Sequence, residues 1–156
     1  MQQVSKKFIL TQSGLEDLRR EYDKLTTHER IEVVARIQRA REFGDLAENS
    51  EYDAAKEAQS LLEARIAELE EVLHSAQVIE EVHGRDFVMI GSTVVVKMND
   101  EEHEFTIVGS MEANPADKKI SNDSPVGKAL LGLKLGEIIE LGVGPVKSTL
   151  KILEIK

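Results

Sequence analysis

The strongest constraint on the fold is a pair of long segments without proline, residues 12–42 and 50–77. In the second segment, seam positions recur at alternating steps of three and four residues, the spacing of a heptad repeat on one helical face. The seam positions are Tyr52, Ala55, Gln59, Leu62, Ile66, Leu69, Leu73 and Ala76, of which Gln59 is polar. Both segments are therefore predicted to be amphipathic helices.

The apolar stripe of the first segment is interrupted near its middle. It begins with Leu15, Leu18, Tyr22 and Leu25 and resumes with Ile31, Val34 and Ile37. The polar residues Thr26–Glu29 lie where the spacing skips positions, which predicts a stutter or a short break in the helix.

The short link Phe43–Ser50 joins the two segments. Gly44 can adopt the left-handed backbone conformation that ends a helix, so the chain can reverse there. Two amphipathic helices joined in this way bury their stripes against each other, which predicts an antiparallel hairpin. An arm of about 30 residues is about 45 Å long and should project from a small domain.

From residue 78 onwards the pattern changes to short β-rich runs, with turn signals such as Asn99-Asp100 between them. Strands are predicted at 92–98, 103–108, 137–141 and 148–155, and one short helix at 126–131. The sequence thus predicts an α+β protein with two domains. We place the helical hairpin arm at 1–77 and the globular unit at 78–156, with Gly84 as a joint.

Composition excludes several classes of function. The chain has no cysteine, so disulfides, thiol nucleophiles and cysteine-ligated metals are ruled out. No apolar run approaches the roughly 20 residues that span a bilayer. The net charge of −9 should repel bulk nucleic acid, so we predict no tight independent binding to DNA or RNA.

Sequence motifs for unaided catalysis are also missing. The four histidines are scattered, without the pairs at three- or four-residue spacing that typify a zinc site. The sequence contains no phosphate-binding loop, nucleophile elbow or dinucleotide fingerprint. We therefore expect that the chain is not an enzyme by itself.

The acidic residues Asp45 and Glu48 lie in the link, three positions apart. One interpretation is a capping box, in which each side chain accepts a hydrogen bond from the backbone near the other residue. The other interpretation is a pair of ligands for a hard cation, because Mg²⁺ is often held by one or two carboxylates together with water and phosphate. Two carboxylates alone make only half of such a site.

Two further features have a structural and a functional interpretation. Arg41 and Lys56, near the link, can be solvated flanks of the helices or can make local contacts with RNA. In the second half, Ser124 and Pro125 have the pattern of an N-cap and first residue of a helix.

Two stretches carry a resemblance to a known family. Residues Ala40–Tyr52 resemble the tip motif of the Gre family of bacterial transcript-cleavage factors, and Ile120–Gly132 resembles the second signature of that family. The resemblance extends over nearly the whole chain in order and spacing. It is closer to the GreA type than to the GreB type, because the second predicted helix is not rich in basic residues.

The resemblance implies a coiled-coil arm and a globular domain of FKBP-like fold in a cytoplasmic transcription elongation factor. In that family the globular domain docks on RNA polymerase and the arm enters the secondary channel. There the tip carboxylates help to hold a Mg²⁺ ion shared with the polymerase, near the 3′ end of the nascent RNA. The positions that match are Asp45 and Glu48 for the metal and Ser121, Asp123, Ser124 and Pro125 for docking.

Two positions depart from the family pattern. Phe43 stands where a histidine is frequent, and Ala47 where a polar or basic residue is common.

Two other functions stay open. The chain can instead be a regulator that occupies the polymerase without stimulating cleavage. The second alternative is a peptidyl-prolyl isomerase, although only Phe87 and Phe105 supply aromatic rings in the second half.

Overall fold

The computed structural model describes residues 7–44, 48–79, 86–143 and 146–156. Contacts within the chain divide it into two units. One unit is Leu15–Ser75, and the other is Ala76–Lys156 together with the N-terminal residues up to Gly14. The predicted joint at Gly84 lies outside the described residues.

The first unit is a helical hairpin. Helix α1 (Gln12–Lys24) continues through the π-helical segment Leu25–Glu29 into α2 (Arg30–Glu42), and α3 (Ser50–Ser75) returns. The long helices and the break between them agree with the predicted periodicity. The hairpin and the β-sheet unit described below confirm the predicted fold class.

Contacts between side chains establish that the two arms of the hairpin are antiparallel. The Arg65 guanidinium donates to both carboxylate oxygens of Glu21 at 2.7 and 2.9 Å. Farther along the arm, Arg30 makes the same two-point contact with Glu63 at 2.8 and 2.7 Å. The hydrogen bonds between Arg30 and Glu63 raise the pKa of the Arg30 guanidinium and lower the pKa of the Glu63 carboxyl.

The buried apolar side chains of the hairpin form two groups, one at each end. The base group lies near the start of α1 and the end of α3, and the tip group lies near the end of α2 and the start of α3. The base group is Leu15, Leu18, Ile66, Leu69 and Val72; the tip group is Ile37, Ala40 and Ala55. Residues 19–36 and 56–65, all of them described, contain no buried side chain.

The π-helical segment corrects part of the predicted stripe. A π-helical hydrogen bond joins residues five apart, whereas an α-helical one joins residues four apart, so the π-helical turn contains one extra residue. After this turn, the positions that face α3 are shifted along the sequence. Ile37 is buried as predicted, but Ile31 and Val34 are 67% and 40% exposed. Val33 is half-buried in place of Val34. The predictions for Ile31 and Val34 were therefore wrong.

The end of α3 also differs from the prediction. Val72 is buried, whereas the predicted seam residue Leu73 is only half-buried. Helix α3 ends at Ser75, and strand β2 (Ala76–Val78) follows directly. Ala76 is therefore a strand residue and does not extend the helical seam.

The globular unit contains a five-stranded sheet with the strand order β5-β4-β3-β7-β6. Neighbouring strands are antiparallel except for β4 and β5, which are parallel. The strands are β3 (Thr93–Met98), β4 (Glu101–Val108), β5 (Lys119–Ser121), β6 (Ile138–Val143) and β7 (Val146–Ile155), with helix α4 (Pro125–Leu130) between β5 and β6. The predicted strands and short helix are present; the sequence did not predict β5.

The core of this unit comes from alternate strand residues and α4. Because side chains alternate across a strand, one face of each central strand points into the core. The fully buried members of the core include Val94, Val96, Ile107, Leu130, Leu150 and Ile152. At the predicted turn between β3 and β4, Asn99 and Asp100 have φ values of 50° and 69°, as a tight hairpin turn requires.

A small sheet that the sequence did not predict joins the N-terminal residues to the globular unit. Strand β1 (Phe8–Leu10) pairs in parallel with β2. Because of this pairing, the start of the chain groups with the globular unit, whereas the predicted arm began at residue 1.

The N-terminal segment ends at the first turn of α1, where Thr11 contacts Glu112, a residue far away in the sequence. The Thr11 hydroxyl accepts a hydrogen bond from the Gly14 amide at 3.0 Å, as an N-cap side chain does. The Glu112 carboxylate accepts from the Thr11 amide at 2.8 Å and from the Thr11 hydroxyl. Glu112 thus has the role that a glutamate at the Gly14 position would have in a local capping box.

Candidate functional site

The turn at the tip of the hairpin begins as predicted. Helix α2 ends at Glu42, and Gly44 has a φ of 100°, which is the left-handed conformation that favours glycine. Phe43, where the sequence departs from the family pattern, is 84% exposed. Asp45 and Ala47 lie outside the described residues, so the description of the tip resumes at Glu48.

The cap of α3 is Asn49, which sequence reasoning missed. The Asn49 side-chain oxygen accepts a hydrogen bond from the Tyr52 amide at 3.1 Å, and its amide nitrogen donates to the Ala40 carbonyl at 2.6 Å. A preferred N-cap residue directly before Ser50, with Glu51 in the first turn, was the available signal. Glu48 precedes this cap and does not occupy the third helical position that a capping box requires.

Glu48 is consequently available for another role. Its side chain is exposed, and it has no hydrogen bond or ion pair in the described part of the chain. A carboxylate oxygen is the type of ligand that Mg²⁺ prefers, so the donor chemistry fits this metal. Within the described residues no three acidic or histidine side chains form a cluster suited to a metal. Glu48 would therefore need ligands from elsewhere.

The basic residues predicted as RNA contacts lie on the two helices beside the tip. Arg41 is exposed, with its guanidinium carbon 5.9 Å from the centre of the Tyr52 ring. Lys56 is also exposed, and its ammonium group donates to the Gln59 amide oxygen at 2.7 Å. Both side chains are accessible, and each already has a neighbour on the arm.

The four residues predicted for docking lie where β5 leads into α4: Ser121 ends the strand, Pro125 begins the helix, and Asp123 and Ser124 lie in the loop between them. The Ser121 hydroxyl accepts from the Asp123 amide at 3.0 Å, and the Asp123 carboxylate accepts from the Ser110 hydroxyl at 2.7 Å. The Ser124 hydroxyl donates to the Ser121 carbonyl at 2.7 Å and caps α4 by accepting from Gly127 at 3.0 Å. These bonds link the loop to Ser110 and to the first turn of α4.

The outer surface of this loop is open. Asp123 and Pro125 are exposed, and Pro125 is the first residue of α4, as predicted for the cap. Asp123 also borders a groove of about 360 Å³, with strand β1 on the other side. The loop therefore presents a fixed carboxylate and a proline next to an accessible groove.

In the described part of the chain, no helix has the length and apolar character needed to cross a membrane.

Comparison with known proteins gives matches along nearly the entire chain. Residues 8–78 match the family described as transcription elongation factor, N-terminal, and residues 83–156 match transcription elongation factor, GreA/GreB, C-term. The transcription elongation factor GreA of Caldanaerobacter subterraneus subsp. tengcongensis is 52% identical over 156 residues, covering 98% of this chain and 99% of the relative. The GreA protein of Clostridium acetobutylicum is 49% identical over 154 residues, covering 97% and 98%.

Among solved structures, GreA factor homolog 1 of Thermus thermophilus is 30% identical with a TM-score of 0.46, covering 97% of this chain and 99% of that protein. The identity and coverage of the curated relatives decide the assignment. This chain belongs to the GreA/GreB family of transcription elongation factors.

Proposed function

We propose that this protein inserts the tip of its hairpin into the secondary channel of bacterial RNA polymerase and stimulates cleavage of backtracked RNA by the polymerase. The observation that carries the proposal is the exposed Glu48 carboxylate at the hairpin tip, free of the helix cap that Asn49 supplies. This protein would be a cofactor of the polymerase nuclease activity in the cytoplasm, and not an enzyme alone.

The proposed task of the tip is to bring oxygen ligands to a site that the polymerase completes. Asp45 and Glu48 would hold a Mg²⁺ ion shared with the polymerase. When two such ions are bound, they activate a water and stabilise the attacking and leaving oxygens of a phosphoryl displacement. The contribution of this chain is to position the two carboxylates. When the arm dissociates from the secondary channel, the carboxylates are removed from the polymerase active site.

The net charge of this chain agrees with the proposal that the polymerase, and not this chain, binds the nucleic acid. An acidic protein with a net charge of −9 does not gain affinity from the phosphates of free nucleic acid. In the proposal the polymerase holds the nucleic acid, and Arg41 and Lys56 make only local contacts with the 3′ end of the nascent RNA. Both are exposed beside the tip, as such contacts require.

The proposed docking surface on the polymerase is the loop of Ser121, Asp123, Ser124 and Pro125. The Asp123 carboxylate accepts a hydrogen bond from Ser110, and Ser124 bonds the loop to α4, so the loop is already ordered by contacts within this chain. A preformed loop loses little conformational entropy on binding, which favours a contact between two proteins.

The test uses stalled, backtracked polymerase with labelled RNA and the variants Asp45→Asn and Glu48→Gln. We expect both variants to bind the polymerase like the unchanged protein and cleavage to fall by orders of magnitude. Glu71→Gln is the matched control, because Glu71 is an exposed acid on the same arm, near the end of α3 that lies farthest from the tip in sequence. This control should cleave normally.

Other outcomes separate the alternatives. Unchanged cleavage with both tip variants would remove the metal role. Binding without any cleavage by the unchanged protein would favour the regulator that only occupies the channel. Turnover of a proline-containing peptide substrate would favour the isomerase.

A further inference from the structure

Asn49, at the tip, makes side-chain hydrogen bonds to the backbone of both helices. Its side-chain nitrogen lies 2.6 Å from the Ala40 carbonyl oxygen in α2, and its side-chain oxygen lies 3.1 Å from the Tyr52 nitrogen in α3. The two halves of one amide group therefore join the outgoing helix to the returning helix.

The contact with α2 satisfies a carbonyl that the helix itself leaves open. Helix α2 ends at Glu42, so the carbonyls of its last four residues lack partners of the α-helical type. Ala40 is one of these residues and is buried, which limits access of water to this part of the backbone. The Asn49 amide supplies the missing donor.

This arrangement has a direct consequence for Glu48. Glu48 precedes Asn49 in the chain, and its side chain has no hydrogen bond or ion pair with described residues. The backbone that carries Glu48 therefore sets the region that its carboxylate can reach. The two hydrogen bonds of Asn49 hold that backbone against both helices.

We propose that Asn49 is a positioning residue for Glu48, acting through the ends of α2 and α3 and not by touching the metal or the RNA. This inference rests on the proposed function, since it assigns the residue that orients the tip carboxylate. Neither the capping box nor the metal pair predicted from the sequence included it.

The two hydrogen bonds can be separated by substitution. Asn49→Asp keeps an oxygen for the Tyr52 amide, because aspartate and asparagine are similarly good N-caps, but it loses the donor to Ala40. Asn49→Ser also keeps a capping oxygen and has no donor long enough to replace the amide. Serine adds no charge near the tip, so it controls for the new carboxylate in Asn49→Asp.

The assay measures cleavage of backtracked RNA as a function of factor concentration and of Mg²⁺ concentration. For both variants we expect unchanged half-saturating factor concentration and unchanged helicity by circular dichroism. Loss of one hydrogen bond should lower the maximal cleavage rate about two- to tenfold and should raise the Mg²⁺ requirement by a similar factor. A purely structural role of Asn49 would leave the Mg²⁺ requirement unchanged.

Glu48→Gln in the same assay separates the two levels of the proposal. Normal cleavage and normal Mg²⁺ dependence of both Asn49 variants, with an inactive Glu48→Gln, would overturn the positioning role alone. Loss of helicity in both Asn49 variants would also overturn it, because the effect would then be on folding. Full activity of Glu48→Gln would overturn the proposed function and this inference with it.

Discussion

Replacing a glycine in a helix by alanine normally stabilises a protein, but the contact between Glu112 and the first turn of α1 should make Gly14→Ala destabilising. Gly14 is the third residue of α1, and alanine in a helix is normally more stable than glycine by about 1 kcal/mol. A methyl group on Gly14, however, would overlap the Glu112 carboxylate. The carboxylate is the mobile end of a side chain, so it can move aside, but its hydrogen bonds to Thr11 are then lost.

The magnitude follows from those two bonds. Each hydrogen bond to a charged group contributes about 1.5 kcal/mol at the lower end of its usual range, so about 3 kcal/mol is lost. Subtracting the gain of about 1 kcal/mol in helix propensity leaves a net destabilisation of about 2 kcal/mol for Gly14→Ala. With Glu112→Ala already present, no carboxylate remains to be displaced, and the same substitution should stabilise by about 1 kcal/mol.

Urea unfolding of the four proteins of this double-mutant cycle, followed by circular dichroism, measures both effects. The coupling between the two positions should be about 3 kcal/mol, far above the value for independent sites. Equal stabilisation by Gly14→Ala in both backgrounds would refute the reasoning, because it would mean that Glu112 does not act on this turn.

Three further predictions concern the arm and the globular unit. Deletion of Thr27 should be tolerated with undiminished melting temperature, because an α-helical turn can replace the π-helical one; deletion of Ser60, where α3 has no extra residue, should lower it by about 5 °C or more. Arg30 lowers the pKa of Glu63, so their pair stabilises the arm fully above the ordinary glutamate pKa, and this stabilisation is lost as pH falls through the lowered pKa of Glu63. Melting temperatures at pH 7 and pH 3 should therefore differ less for Glu63→Gln than for the unchanged protein. Ser124→Ala removes the cap of α4 and should cost the globular unit about 1 kcal/mol in urea unfolding.

The elements that sequence reasoning identified are those set by local periodicity. The heptad spacing in α3 predicted a helix whose buried positions include Ala55, Ile66 and Leu69. The turn residues Asn99-Asp100 separated two strands correctly. In each case the responsible residues are near one another in the sequence, so their pattern contains the information.

The features that sequence reasoning missed depend on distant partners or on a shift of one residue. Pairing of β1 with β2 and the bond from Glu112 to Thr11 join segments far apart along the chain, and no local pattern indicates them. The π-helical segment was located approximately, but its extra residue changed which side chains behind it are buried. At the tip, the sequence suggested that Asp45 and Glu48 cap the helix that follows, whereas the structure shows that Asn49 is the N-cap of α3.

The bare middle of the hairpin has a mechanical consequence. Residues 19–36 and 56–65 have no buried side chain, so bending there exposes little additional apolar surface and meets little resistance from packing. Cohesion in this stretch comes from solvent-accessible ion pairs such as Arg30 with Glu63, which salt weakens. We therefore expect the arm to bend more readily in its middle than at either end, and more so at high ionic strength.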